Sequence, residues 1–134
     1  MGGSSWAGVG CVLLRLWMVD DLGMGVGVMA KDGTEARFLA QVVCLAGQLG
    51  YTLAYHTHDS RRSVEGFPDL VLVRPPAGGG GRGRVVFAEL KVGRARPTVA
   101  QEAWLEGLRL AGQEAYVWWP EQEAEIVEVL RAGC

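Results

Sequence analysis

Hydrophobic residues recur along this chain at two spacings, and each spacing predicts one kind of element. From Thr34 onward, apolar side chains return every three or four residues as far as Gly50, which is the spacing of one helix face. A threonine at the start and a glycine at the end are common helix boundaries. Similar patterns occur twice more, one of them with Trp104 on its inward face. The predicted helices span residues 34–50, 98–112 and 121–131.

Shorter runs of apolar, aromatic and β-branched residues lie between these helices and predict strands. Pro75 and Pro76 end the second run, and consecutive glycines follow, so a turn is expected there. Two runs are apolar almost throughout, as in sheets covered on both faces. The predicted strands span residues 51–57, 69–73, 84–91 and 115–119. The expected fold is α/β, with the order α-β-β-β-α-β-α and a mixed sheet flanked by helices.

The first 33 residues do not fit this pattern. Their apolar stretch is interrupted by Arg15, Asp20 and Asp21, and no run reaches the roughly 18 residues of a membrane-spanning helix. They also lack the basic segment that opens a signal peptide. We therefore predict a poorly ordered extension over residues 1–33, a single domain over residues 34–134, and no membrane partner.

Composition limits the class of protein. A chain of 134 residues can bury one core but not two. Three cysteines without CxxC spacing predict neither a disulfide framework nor a zinc cluster, so a reducing cytoplasm and an inert Cys44 are expected.

Charge is unevenly distributed, although the formal net charge is only -2. The middle of the chain, from Arg61 to Arg96, is rich in lysine and arginine, whereas the last third, from Glu102 to Glu128, is rich in glutamate. A basic middle suits a polyanionic partner, but solvated faces would give the same distribution. Charge alone leaves both interpretations open.

Glu89 and Lys91 form an unusual polar pair on an otherwise apolar strand. Because they are two residues apart, their side chains project from the same face. If the hairpin pairs Val73 with Val85, Asp69 comes to lie opposite Glu89. Two carboxylates this close repel each other unless one is protonated or a cation lies between them, and hard oxygen ligands favour Mg²⁺ or Mn²⁺. The spacing leaves a salt-bridge cluster without metal as the alternative.

The residues around this pair follow the pattern of a known nuclease family. The matching segments, in chain order, are Tyr55–Ser63, Gly66–Val73, Phe87–Lys91, Arg94-x-Arg96-x-Thr98, Gln101-x-x-Trp104-Leu105 and Tyr116–Trp118. Over roughly residues 34–130 the chain closely resembles the VRR-NUC family, the virus-type replication-repair nucleases of the PD-(D/E)XK superfamily. A bare PD…ExK pattern is common by chance, but the ordered series is far more specific.

The resemblance implies a restriction-endonuclease-like core and metal-dependent hydrolysis of DNA phosphodiester bonds. It implies that Asp69 and Glu89 bind the metal and that Lys91 is the catalytic lysine. The backbone carbonyl of Leu90 and the carboxylate of Glu35 are the further metal ligands that it suggests.

The second predicted helix carries two residues of interest. Gln101 matches a glutamine of the family pattern, so the resemblance places it in the catalytic set, near the metal or the scissile phosphate. Tryptophans can stack on bases, but Trp104 lies on the inward stripe of its helix. Trp118 and Trp119 are adjacent on a strand, so they face opposite ways. Core packing is therefore expected for Trp104 and for one of that pair.

Charged residues in the two loops that flank the predicted site are candidates for contact with DNA. Arginine guanidinium groups match phosphate geometry, although solvated loop charges are the alternative. Two histidines are expected on one side of a strand end near Asp69, where one of them approaches the DNA backbone; a two-histidine metal site is the less favoured option. The predicted DNA-binding residues are His56, His58, Arg61, Arg62, Arg94 and Arg96.

Three functions are compatible with these residues. The favoured one is a divalent-metal-dependent DNA endonuclease, because Asp69, Glu89 and Lys91 are all present; it is either weakly specific or selective for branched or junction DNA, as a Holliday-junction resolvase is. The alternatives are a non-catalytic DNA-binding module of the same fold and an interaction domain with a structural ion pair. Because one site cuts one strand, we expect a homodimer. We expect it in the cytoplasm of a bacterial or phage-infected cell.

Overall fold

The computed structural model describes residues 26–57 and 61–132, and for residues 26–33 the backbone alone. The helices are α1 (Val26–Gln48), α2 (Val99–Leu110) and α3 (Glu123–Arg131), and the strands are β1 (Leu53–His56), β2 (Leu70–Arg74), β3 (Arg84–Leu90) and β4 (Glu114–Trp118). A short 3₁₀ helix (Pro120–Gln122) precedes α3. The predicted order is therefore confirmed for the described residues. None of their helices combines the length and apolar character that crossing a membrane requires.

The strands form one mixed sheet in the order β1-β2-β3-β4. The pairs β1–β2 and β2–β3 are antiparallel, whereas β3 and β4 are parallel and are joined by α2. In the β2–β3 hairpin Val73 pairs with Val85, which confirms the predicted register. The protein is thus an α/β fold with a mixed sheet.

The main core lies on one face of this sheet. Leu70 and Leu72 of β2 alternate inward beside Val86 and Ala88 of β3, and all four are buried. They share one cluster with residues of α1 and α3, namely Phe38, Val42, Ala46, Ile126 and Leu130. The predicted apolar stripe of α1 is therefore confirmed; of the stripe predicted for α3, Ile126 and Leu130 belong to the cluster and Val127 does not.

Helix α1 differs from the prediction at its first residue. It begins at Val26 rather than after Thr34, so Thr34 lies inside the helix and is not its N-cap. A capping residue favours the start of a helix but does not prevent the helix from extending further toward the N-terminus. The helix ends at Gln48, and Gly50 follows with a φ of 98°, as the predicted glycine stop requires. Residues 1–25 of the predicted extension lie outside the described residues.

Cys44 also differs from the prediction. It is buried on α1, as a small apolar residue would be, but it is disulfide-bonded rather than a free thiol. Sequence spacing was a poor guide here because a disulfide requires proximity in space, which the intervals between cysteines do not report.

Helix α2 covers part of the opposite face. Phe87 of β3 points to this side, and its ring centroid lies 6.4 Å from that of Phe67. Phe67 in turn meets Trp104 of α2 edge-on, with the centroids 5.1 Å apart. Trp104 therefore packs inward as predicted, and Trp118 is the buried member of its pair. Helices lie on both faces of the sheet.

Arg84, the first residue of β3, ties the far end of the sheet to the end of α3. Its guanidinium donates to both carboxylate oxygens of Glu114, at 2.7 and 2.6 Å. It also donates to the hydroxyl of Tyr51 at 2.8 Å and to the carbonyls of Val129 and Ala132 at 2.6 and 2.9 Å. Hydrogen bonding to Arg84 lowers the pKa of Glu114. This network lies at the opposite end of β3 from Glu89.

Candidate active site

Asp69, Glu89 and Lys91 meet where β2 begins and β3 ends. The β2–β3 pairing runs as far as Leu70 with Ala88, so its continuation by one residue sets Asp69 opposite Glu89, as predicted. Paired residues of an antiparallel ladder project from the same face, and so do residues two apart on one strand. The three charged side chains therefore share the face that carries Phe87.

Backbone hydrogen bonds hold both carboxylates in place. The amide of Asp69 donates to Oε2 of Glu89 at 3.2 Å, and the amide of Leu90 donates to Oδ2 of Asp69 at 3.0 Å. Each carboxylate is thus fixed by the backbone of the neighbouring strand. Such fixed geometry reduces the reorganisation needed when a charged ligand binds.

Glu89 is the most deeply buried charged group at this site. Its side chain is 1% exposed and that of Lys91 is 15% exposed, and Nζ of Lys91 lies 3.2 Å from Oε1 of Glu89. Burial, followed by the negative charge of Asp69, raises the pKa of Glu89 to about 7, against the opposing effect of Lys91. Near neutral pH this carboxyl therefore either keeps a proton or requires more positive charge than one lysine supplies.

The donor set at this site fits a hard divalent cation. The carboxylates of Asp69 and Glu89 supply negatively charged oxygens on adjacent strands. In an extended strand the N–H and C=O of one residue point to the same side, so the carbonyl of Leu90 faces Asp69 as its amide does. Oxygen donors of this kind suit Mg²⁺ or Mn²⁺. A cation here would also offset the repulsion that raises the pKa of Glu89.

Two further predicted members lie on the helices α1 and α2. Glu35 is exposed on α1, and within the described residues no third Asp, Glu, His or Cys joins Asp69 and Glu89 in a group able to hold a metal. The side chain of Gln101 closes the capping box of α2: its Oε1 accepts from the amide of Thr98 at 2.8 Å. The metal role of Glu35 and the catalytic role of Gln101 stay predictions.

The predicted histidines and arginines divide into two groups. His56 pairs with Leu70 and is buried, so it projects into the core face, away from Asp69. The expectation that His56 lies near Asp69 is therefore wrong; His58 lies outside the described residues. The four arginines are exposed in the loops before and after the site, at Arg61, Arg62, Arg94 and Arg96.

Thr57 is the residue at this site that the sequence analysis missed. Its amide donates to the carbonyl of Asp69 at 3.1 Å, which continues the β1–β2 pairing by one residue and places Thr57 on the Asp69 face. Its Oγ1 is buried, and no described residue gives it a hydrogen bond. A buried hydroxyl left without a partner is costly, so this atom marks a position where a polar ligand would be stabilised.

The loop that leads to Asp69 is held against α2. Nε1 of Trp104 donates to the carbonyl of Glu65 at 3.2 Å, and Phe67 packs on the same indole. Pro68 is buried directly before Asp69. The position of Asp69 thus depends on α2 as well as on the β2–β3 ladder.

A substitution at Gly66 tests how closely this loop approaches α2. Its φ is 88°, and a Cβ built there would lie 2.5 Å from the carbonyl oxygen of Ala100. We expect Gly66→Ala to lower the free energy of unfolding, measured in urea, by about 3 kcal/mol, from the positive φ and the overlap together. Gly93→Ala is the control, because Gly93 has a φ of 60° but nothing within 4 Å, and we expect about 1 kcal/mol. Equal losses in the two variants would contradict the close approach.

The arrangement has the parts required for hydrolysis of an anionic ester. Two fixed carboxylates and a carbonyl can hold a cation, a lysine lies beside them, and arginines flank the site. The same parts, without a cation, would be an ion-pair cluster. The chain matches no protein-family model, no curated protein and no solved structure.

Proposed function

We propose that this protein is a divalent-metal-dependent DNA endonuclease that hydrolyses phosphodiester bonds. The observation that carries the proposal is the like-charged pair of half-buried Asp69 and buried Glu89, fixed across two strands, with Lys91 at 3.2 Å from Glu89. A pair that only stabilised the fold would not be expected to combine mutual repulsion with a raised pKa of Glu89.

The fold is compatible with this proposal. The sheet has three antiparallel strands, a crossover helix and a fourth strand parallel to the third, and we propose that this α/β arrangement is a restriction-endonuclease-like core. The resemblance of the sequence to VRR-NUC nucleases points to the same core and to the same three residues. Fold alone does not imply function, so the residues of the site carry the proposal.

Asp69, Glu89 and the carbonyl of Leu90 would hold Mg²⁺ or Mn²⁺, which supplies Lewis acidity and a bound water of lowered pKa. Lys91 is held by Glu89 with its ammonium directed along the same face. From there it can orient the attacking water or stabilise negative charge that develops on the phosphate oxygens. Arg61, Arg62, Arg94 and Arg96 contact backbone phosphates on either side of the site. We further propose a homodimer, with one site for each strand of a branched or junction DNA.

The proposal is tested by incubating the full chain with plasmid, linear duplex and four-way junction DNA in Mg²⁺, Mn²⁺ or EDTA. We expect cleavage in either metal and none in EDTA. Binding without cleavage in both metals would overturn the enzyme and favour a DNA-binding module. Absence of both binding and cleavage would favour a structural ion pair.

Lys91→Met tests whether Lys91 acts in catalysis or only contacts DNA. We expect the cleavage rate to fall about 100-fold, because the ammonium acts at the reacting phosphate, while affinity for DNA measured in EDTA changes little. Arg82→Met is the matched control, since it removes one exposed positive charge from the turn at the other end of the hairpin. If the two variants cleave equally well, Lys91 has no catalytic role.

A further inference from the structure

An open pocket of about 570 Å³ lies beside the candidate active site. The loop of residues 93–96, which follows Lys91, forms one wall, and Trp119, Glu121 and Gln122 form the other. Its volume is within the range of pockets that take a small organic ligand. Two arginines and one indole in its lining suggest a ligand that is both anionic and aromatic.

The parallel pairing of β3 and β4 sets this pocket next to Lys91. Leu90 pairs with Trp118, and the amide of Lys91 donates to the carbonyl of Trp118 at 2.9 Å. Continuing this register by one residue places Trp119 beside Lys91. Because side chains alternate along a strand, Trp119 projects from the same face as Glu89 and Lys91. The pocket therefore opens one strand away from the lysine.

The indole of Trp119 is already held in one orientation. Its Nε1 donates to the carbonyl of Ala95 at 3.1 Å, and the guanidinium carbon of Arg96 lies 5.9 Å from its ring centroid. Its backbone amide donates to Oε1 of Gln122 at 3.1 Å. Unlike the buried Trp118, Trp119 keeps part of its surface exposed. A fixed, partly exposed aromatic ring loses little conformational entropy when a planar ligand stacks on it.

We propose that this pocket binds an unpaired nucleobase of the DNA strand that is cut, stacked against Trp119, with the adjoining phosphates on Arg94 and Arg96. The inference rests on the proposed function, which places a phosphodiester next to Lys91. Glu121 in the lining repels a phosphate and can accept a hydrogen bond from a ring N–H or an exocyclic amino group of a base, so the base rather than the phosphate belongs beside it.

This assignment restricts the class of substrate. In a continuous duplex each base is stacked on its neighbours, so its face is not available to Trp119 without the cost of unstacking. A flap, a fork or a single strand next to the cut offers a free base at no such cost. The structure thus points to DNA with an unpaired nucleotide adjoining the scissile phosphate.

The test measures binding in EDTA, where a metal-dependent nuclease does not cut. Wild-type protein, Trp119→Phe and Trp119→Leu are titrated into fluorescently labelled oligothymidine and into an abasic strand of equal length, with anisotropy as the readout. We expect Trp119→Leu to bind oligothymidine about tenfold more weakly, as loss of one base stack predicts, and Trp119→Phe to retain most of the affinity. On the abasic strand the three proteins should bind alike.

A structural role for Trp119 gives different results. If Trp119→Leu weakens binding to both strands equally, or to neither, the pocket does not stack a base and the inference fails. If Trp119→Leu does not fold, a crosslinking experiment replaces that variant: wild-type protein bound to a 5-iododeoxyuridine strand is irradiated. A crosslink mapped to Trp119 supports stacking, whereas crosslinks only at other residues overturn the inference. Cleavage in Mg²⁺ with no base-dependent binding would overturn the pocket alone. Base-dependent binding without cleavage would overturn the nuclease alone.

Discussion

Glu89→Gln is expected to abolish DNA cleavage and, at pH 8, to raise the free energy of unfolding by roughly 3 kcal/mol. The pKa of Glu89 is about 7 in the folded protein, against an ordinary value of 4.5. Because the folded state holds the proton more tightly, the stability that Glu89 contributes is complete below pH 4.5. It is lost as the pH rises to 7 and beyond. A shift of this size corresponds to roughly 3 kcal/mol, and glutamine, which stays neutral, avoids the loss.

The same substitution removes one of the two carboxylates that are proposed to bind the metal. A metal that supplies several kcal/mol of transition-state stabilisation would be held poorly, so the cleavage rate should fall about 1000-fold or more. Urea unfolding at pH 4.5 and pH 8 in EDTA, together with cleavage of junction DNA, measures both effects. If Asp69 and Glu89 form a functional site at the cost of their mutual repulsion, the variant should be more stable than the wild type but inactive.

Glu102→Gln is the matched control, since Glu102 is an exposed acid on α2. We expect it to keep full activity and to change stability by less than about 0.5 kcal/mol at both pH values. Destabilisation by Glu89→Gln at pH 8 would contradict the proposal, because it would mean that Glu89 and Lys91 are a stabilising ion pair. Mg²⁺ gives an independent check: it should raise the melting temperature of the wild type and not that of Glu89→Gln.

Arg84→Met should produce the largest loss of stability, about 3 kcal/mol or more. The substitution removes the charged partner of Glu114, which still accepts from Tyr116, and the hydrogen bonds that Arg84 donates to the carbonyls of Val129 and Ala132. The Arg84 side chain is only 13% exposed, so water replaces these bonds incompletely. Urea unfolding at pH 7 measures the loss. Since Arg84 lies at the far end of β3, cleavage below the melting temperature should stay close to that of the wild type.

Glu114→Gln distinguishes the charge pair from the carbonyl contacts of Arg84. Glu114 is 36% exposed, so its loss should cost about 1 kcal/mol, less than the loss of the arginine. If Glu114→Gln is as destabilising as Arg84→Met, the ion pair rather than the carbonyl contacts holds α3 to the sheet. A loss below 1 kcal/mol for Arg84→Met would show that this network contributes little.

The strands and the core of the site could be predicted because the chain marks them locally. Proline and glycine bound the β2 and β3 runs, and the turn between them sets the pairing of Val73 with Val85. With that register, strict alternation along each strand brings Asp69 and Glu89 together. Lys91 follows from the same alternation.

Other features depend on contacts between distant segments, which local patterns do not encode. The four residues of β1 show no alternation between apolar and polar, so no local pattern indicated that Thr57 rather than His56 faces Asp69. Which of Trp118 and Trp119 is buried follows from the parallel register of β3 and β4, and that register depends on the packing of α2. The start of α1 and the disulfide of Cys44 are likewise set by tertiary context.

The parallel pairing of β3 with β4 has a consequence for how this protein can be altered. Because both strands end at the same edge of the sheet, the two chain segments that follow them, residues 91–98 and 119–122, lie side by side. Substitutions at the exposed positions of these segments, residues 93–96 and 121, exchange one exposed side chain for another and leave the interior packing untouched. A library randomised only at these positions should therefore yield many folded proteins. Selection from it could change the preferred nucleic acid without rebuilding the scaffold.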